Sequence, residues 1–295
     1  MSEDIFQRAC LIHLETNCWP GTFRLPDSAL KKIGDAAWLR GKKHLIEPEH
    51  LNNIRAVITA ARRDLNKHAL PFPIKGLILV PKDLIAEIDK LLLGHQQEFH
   101  AKVAMLYAVY DELVEKARAI LEPAGLFNET EYPTDLALRF GFAWRFIAIS
   151  TPQHLSVLTP EIFERERANF LALMEQTRNA AVASLRTEFA EFVDHLTERL
   201  FTPENVQPKI FKASSIVRFQ EFLELFDDRN LFQDDELQDL VTRASDLLKD
   251  TPPEWLRDDP TFRRHIATGM AKIKTQSDQL LTDLPRRLIT LPKAA

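Results

Sequence analysis

Residues 81–121 read PKDLIAEIDKLLLGHQQEFHAKVAMLYAVYDELVEKARAIL. Ile85, Ile88, Leu92, Phe99, Val103, Leu106, Tyr110, Leu113, Ala117 and Ile120 recur at three- and four-residue steps, apart from one turn at His95, and no proline follows Pro81. A 3.6-residue period puts such positions on one face of a helix. Globular helices usually run about 8–20 residues, so the length here predicts a coiled-coil arm. A second segment of the same kind runs from Pro160 to Leu200, striped by Phe163, Phe170, Met174, Ala181, Leu185, Phe189, Phe192, Leu196 and Leu200. Neither segment buries its stripe alone, and the expected solution is an antiparallel pair, each covering the other.

The connection, 122–159, carries LALRFGFAWRFIAIS, in which Phe140, Phe142, Trp144 and Phe146 alternate with Arg139, Gly141, Ala143 and Arg145. Period two with aromatics is a strand signal. This strand is expected to pair with Leu77–Val80, a short aliphatic run, or with the N-terminal strands. The alternative is base stacking of nucleic acid on these rings between Arg139 and Arg145, although packed aromatic strands are the commoner arrangement. The opening ACLIHLETNCWPGTFRL predicts two short strands around the Trp19-Pro20-Gly21 turn. Helices are expected over about 28–39, capped by Asp27 or Ser28, and over 48–68, begun by Pro48. Three more follow, at about 211–228, 235–249 and 260–282. The fold class is therefore mainly α: a long antiparallel coiled-coil arm plus a helical bundle, with a small β element. The expected domains are 1–80, 81–202, 203–284 and a loose tail at 285–295.

The composition agrees with a helical chain. Only 8 of 295 residues are glycine, well under the usual share of about 7%, which disfavours phosphate-cradling loops and turn-rich β folds. No apolar run reaches the roughly 18 residues of a membrane span. Met1-Ser2-Glu3-Asp4 lacks a basic signal start, and two cysteines, Cys10 and Cys18, read as reduced thiols, so the expected compartment is the cytoplasm. The net charge of −5 hides a dipole. Residues 1–80 hold 12 Lys/Arg against 8 Asp/Glu, 81–202 hold 12 against 19, 203–260 hold 7 against 14, and 261–295 hold 7 against 2. Basic ends and an acidic middle suit head-to-tail self-assembly or a charged partner; ordinary solvated faces are the plainer reading.

Candidate chemistry is sparse. In HLIEPEH, His44 and His50 are separated by Pro48 and cannot share a helical face as a zinc pair does. His95 and His100, five apart in a helix, point in different directions. No phosphate loop, nucleophile elbow or dinucleotide fingerprint occurs, so no catalytic, cofactor or metal residue is assigned and the chain is expected not to be an enzyme. Two charge clusters remain. Lys31, Lys32, Arg40, Lys42 and Lys43 surround Trp38 and are candidates for phosphate contact. Against nucleic acid as the main partner stands a pI of about 6.0. FLELFDDRNLFQDDELQDLV, 222–241, concentrates Glu224, Asp227, Asp228, Asp234, Asp235, Glu236 and Asp239. As a calcium loop starting at Asp228 it lacks the glycine at position 6 and the oxygen ligand at position 5. A helix–hinge–helix fits better: Asn230 ends one helix, Asp234 caps the next, and Asp235 and Glu236 occupy its first turn, where the dipole favours acids. The cluster is then a candidate protein contact.

Three stretches together, CWPGTFRLPDSALKKIG (18–34), VYDELVEKA (109–117) with FGFAWRF (140–146), and IVRFQEFLELFDDRNLFQDDELQDLV (216–241), resemble the bacterial and phage proteins grouped as domain of unknown function 3150. The resemblance implies a partner or adaptor of a MoxR/CobS-like AAA+ ATPase and a von Willebrand factor A (VWA) domain protein, in phage defence or mobile-element maintenance. It carries no catalytic residues over. The leading expectation is a non-enzymatic assembly protein that binds itself and such an ATPase. The alternative is a single-stranded nucleic-acid binder.

Overall fold

A computed structural model describes residues 5–149, 159–200, 213–249 and 259–282. The expected tail at 285–295 lies outside the described residues. The architecture is mainly α with a small antiparallel β component. In chain order the elements are α1 (Ile5–Arg8), β1 (Ala9–Asn17), β2 (Thr22–Arg24), α2 (Asp27–Leu30), β3 (Lys42–His44), α3 (Pro48–His68), β4 (Leu70–Pro71), β5 (Leu77–Pro81), α4 (Ile85–Leu121), β6 (Gly141–Ile147), α5 (Pro160–Leu200), α6 (Ala213–Arg229), α7 (Asp235–Leu248) and α8 (Pro260–Thr282). Four strands form one sheet in the order β4-β5-β1-β6, and β2 and β3 form a separate antiparallel ribbon. The aromatic strand β6 therefore neighbours the N-terminal strand, one of its two expected partners. Among the described residues, no helix is long and apolar enough to cross a membrane.

The chain divides into two compact units, and the division is interleaved rather than sequential. Unit 1 takes Met1–Leu11, Lys67–Leu84 and Ile147–Ala295; unit 2 takes Ile12–Asn66 and Ile85–Phe146. The two long helices fall into different units, which changes the expected pairing. In unit 2, α4 buries Ile88, Leu92, Phe99, Leu106, Leu113 and Ala117, a seam at heptad-like spacing. Inside its own unit, Phe99 of that seam meets the aromatic strand β6 and the residue before it. Phe99 packs on Phe140 and Phe142 with ring centroids 6.4 and 5.6 Å away. Gln96 donates to the Phe142 carbonyl at 2.8 Å, and Trp144 Nε1 donates to Asp89 at 2.9 Å. From α3, Asp64 meets His95 Nε2 at 2.9 Å, and Glu47, just before α3, accepts from Lys116 at 2.6 Å. In unit 1 the helical partners of α5 are α8 and α6. Phe189, Phe192, Phe219, Phe222 and Phe226 form an aromatic cluster there, with Phe192 and Phe219 stacked at 5.4 Å. A period reports that a face is buried without naming what buries it.

The expected helix over 28–39 stops after Leu30. Its continuation is a series of turns: Ile33 and Gly34 both donate to the Leu30 carbonyl, and the Asp35 carboxylate accepts from Ala37 N at 2.9 Å. A short acid that bonds the backbone two residues on competes with helical bonding. Only Leu30 of the apolar positions is buried; Ile33 is 76% exposed and Trp38 88%. The two predicted N-terminal strands exist, but β2 pairs with β3 in the register Thr22↔His44, Phe23↔Lys43, Arg24↔Lys42. The turn before it needs Gly21, whose φ is +60° and where a Cβ would stand 2.1 Å from Leu51 Cδ1. Pro48–His68, Pro160–Leu200 and Pro260–Thr282 are helices at the very residues named, and α7 ends one residue early, whereas α4 starts at Ile85 instead of Pro81, after a short 3-10 turn, and the expected start of α6 at 211 lies outside the described residues.

Candidate functional site

The acidic segment of unit 1 is a helix–turn–helix held by four side chains. Helix α6 ends at Arg229, which is 2% exposed. Its Nη2 donates to Glu188 on α5 at 2.7 Å and to the Ala69 carbonyl at 3.4 Å, and its guanidinium lies 5.6 Å from the Phe222 ring centroid. Asn230 follows. Its Oδ1 accepts from Asp234 N at 2.8 Å and its Nδ2 donates to Gln238 at 3.1 Å. Gln233 sits at φ +53° to turn the chain, and Asp234 caps α7 by accepting from Leu237 N at 3.3 Å. The same carboxylate takes both prongs of Arg186 from α5, at 2.6 and 2.8 Å. Arg186 also donates to Glu236 at 2.9 Å and to the Leu280 carbonyl of α8 at 3.2 Å. One guanidinium thus ties three helices together. The hydrogen bonds to Asp234 hold the Arg186 pKa above its ordinary value, against the downward push of burial.

This arrangement sorts the seven acids named from the sequence. Asp234 is buried and consumed by the cap and by Arg186, so it is a fold element and leaves the candidate contact set. Asp228 is half-buried, and Asp227 accepts from Gln238 at 2.8 Å while remaining exposed. Glu224, Asp235, Glu236 and Asp239 are exposed. Asp235 and Asp239, four apart, share one face of α7.

Beside the turn lies a cleft of about 490 Å³ between α1, α5 and residues 231–235. Met174 and Leu231 are buried in its floor, and Phe232 and Leu171 are further apolar lining. Its charged lining is Arg8, Arg178, Glu175 and Asp235. Sequence reasoning missed this cleft because its walls come from residues more than two hundred positions apart. The only local signal was an apolar Leu231-Phe232 pair inside an acidic turn.

In unit 2 the basic cluster is also sorted by burial. Lys43 lies inward, 7% exposed, with Nζ 2.5 Å from Glu131 and bonded to the Leu126 carbonyl, so it does not face solvent phosphate. The register explains it: in a ribbon alternate residues point to opposite faces, and Lys42 is outward where Lys43 is inward. Lys31, Lys32, Arg40 and Lys42 are exposed around Trp38. The β6 aromatics, the alternative stacking platform, are mostly spent on packing: Phe142 is buried, Phe140 and Trp144 are half-buried, and Phe146 alone of the four is exposed.

Among the described residues no group of three or more His, Cys, Asp or Glu is placed to hold a metal ion. Cys10 and Cys18 are free and half-buried. Burial pushes both thiols above their ordinary pKa, with Arg55 pulling weakly the other way at Cys18. Neither is activated as a thiolate nucleophile would be. A family model described as protein of unknown function (DUF3150) matches residues 6–203. The helix–turn–helix at 216–241 lies beyond the matched range. No curated protein and no solved structure matches the chain.

Proposed function

The chain belongs to the DUF3150 family, and from that premise we propose that it is a non-enzymatic adaptor. It assembles with itself and engages a MoxR-like AAA+ ATPase and a VWA-domain partner in a phage-defence or mobile-element system. The supporting observation is the acidic ridge at the start of α7, where Asp235, Glu236 and Asp239 stay exposed while Asp234 beneath them is locked to Arg186. A rim of charge on a rigid turn favours fast, orientation-selective docking on a basic partner surface. The test is co-purification with a MoxR-like AAA+ ATPase and a VWA-domain protein. Reversing Asp235, Glu236 and Asp239 to Lys should abolish capture while leaving the helical circular dichroism unchanged. Full capture by that variant refutes the reading.

A second reading, single-stranded nucleic-acid binding, is favoured by Trp38, 88% exposed among Lys31, Lys32, Arg40 and Lys42. An exposed ring with surrounding cations is the chemistry of base stacking and phosphate neutralisation. Fluorescence anisotropy with a labelled single strand decides it: binding at low salt that falls with added salt and with Trp38→Ala supports it, and no binding at low salt ends it.

A further inference from the structure

Two features are left unexplained by packing: the loop that holds Trp38 out in solvent, and the open cleft beside the α6–α7 turn, whose lining is half apolar and half polar or charged. The loop is not merely slack chain. Trp38 N donates to the Asp35 carbonyl at 3.0 Å and Leu25 N donates to the Gly41 carbonyl at 3.0 Å, so its base is pinned while its indole projects. A tryptophan presents roughly 150–250 Å² of surface, and such anchors are where interface energy concentrates.

The cleft is the complementary object. Its 490 Å³ lies in the range of about 300–1,000 Å³ typical of ligand pockets and admits one indole with room for an aliphatic neighbour. Met174 and Leu231 supply an apolar floor, and Leu171, 47% exposed, supplies an apolar lip. The charges at its mouth, Arg8 and Arg178 against Glu175 and Asp235, cancel. The surplus comes from Glu236 and Asp239, exposed next to Asp235 on α7. The loop brings four exposed cations and one exposed acid, Asp35, around its tryptophan.

We propose that the occupant of this cleft is the 31–42 loop of a second copy of the chain. Trp38 enters over Met174 and Leu231, beside Ile33. The loop lysines and Arg40 face Glu175, Asp235 and the α7 ridge, and Arg8 and Arg178 border the ring face, where a guanidinium is attracted to an indole. The contact is heterologous: loop and cleft are separate patches of the chain, and each copy offers one of each. This deepens the self-assembly part of the adaptor reading and uses the cleft's α5 wall, which that reading does not involve.

The experiment is light scattering on size-exclusion chromatography over a concentration series, with the full chain and two variants at exposed positions. The loop variant carries Lys31→Glu, Lys32→Glu and Trp38→Ala. The cleft variant carries Leu171→Arg and Glu175→Arg. Wild type is expected to grow in mass with protein concentration and to shrink with added salt. Each variant alone should stay at the monomer mass. Their mixture keeps one intact loop and one intact cleft, and should therefore yield a species of twice the monomer mass and nothing larger. A wild-type oligomer that either variant leaves intact overturns this contact but leaves self-assembly standing. A wild type that remains monomeric throughout overturns both. Variant monomers that fail to pair on mixing, while keeping the wild-type melting temperature, also overturn it.

Discussion

Arg186 is the residue through which three helices of unit 1 communicate, and truncating it gives the sharpest test of how that unit is held. Arg186→Ala removes two short bonds to Asp234, one to Glu236 and one to the Leu280 carbonyl. The parts differ in weight. The Asp234 side chain is only 4% exposed, so losing the guanidinium strands a desolvated carboxylate, and breaking such a pair from one side is worth about 3–5 kcal/mol. The Glu236 side chain is 70% exposed, and an ion pair at that exposure contributes about 0–1 kcal/mol. The carbonyl bond adds about 1 kcal/mol. We expect about 4–7 kcal/mol of destabilisation, a large share of the roughly 5–15 kcal/mol that holds a domain together.

The reverse truncation separates the causes. Asp234→Ala also deletes the α7 cap, worth about 1 kcal/mol, but leaves Arg186 with Glu236, a carbonyl and partial access to water. It should cost about 2–3 kcal/mol. The double variant should lose clearly less than the sum, with a coupling of about 2 kcal/mol. Glu236→Ala should cost under about 1 kcal/mol. Urea titration followed by circular dichroism measures all four. The reasoning is refuted if Arg186→Ala costs under about 1 kcal/mol, or if Glu236→Ala matches it, since either result makes the clamp a surface ion pair.

Three further outcomes follow from particular contacts. Gly21→Ala adds a Cβ at φ +60°, against Leu51 Cδ1, and should destabilise by about 3 kcal/mol, combining left-handed strain with overpacking; a loss under about 1 kcal/mol in thermal unfolding counts against the packed turn. Lys43→Ala leaves Glu131 uncompensated, its side chain 10% exposed, and should cost about 3 kcal/mol, whereas Lys42→Ala beside it should stay within about 0.5 kcal/mol; equal losses would deny the inward and outward sorting of the ribbon. Burial, with smaller contributions from Tyr132 and Asp111, pushes the Tyr110 phenol up to about 12. An unfolded tyrosine ionises near pH 10, so between about 10 and 12 the folded state binds the proton more tightly and stability falls as pH rises. Tyr110→Phe should flatten that fall and remove the latest-titrating phenolate from the ultraviolet absorbance; an unchanged titration curve rules the assignment out.

The helices were legible because their signals are local. Pro48, Pro160 and Pro260 each open a helix at the residue itself, and Asp234 caps α7 as its position before Asp235 and Glu236 predicts. What the sequence could not carry was partnership. The α4 and α5 stripes look alike on paper, yet one meets an aromatic strand and the other α6 and α8. The 28–39 helix stops for a local reason: Gly34 is a poor helix former and Asp35 bonds the backbone two residues on, which outweighs the helix-favouring Lys31 and Lys32. The cleft was illegible in principle, since α1, α5 and the α6–α7 turn meet there only after folding.

Charge density on its own also misleads about function, and pairing corrects it. In the sequence Asp234 and Asp235 are indistinguishable neighbours, as are Lys42 and Lys43. In the structure one member of each pair is desolvated and committed to a specific counter-charge, Arg186 or Glu131. Replacing it harms folding first and binding only in consequence. The other member stands in water without a comparable commitment, so it is the member that can exchange solvent for a partner at little cost to the fold. This makes a stability measurement the proper companion of every binding measurement on this chain. A substitution at Lys43 or Asp234 that abolishes capture says nothing about an interface until its effect on unfolding is subtracted. The same loss at Lys42, Trp38, Asp235 or Glu175, with unfolding unchanged, locates one.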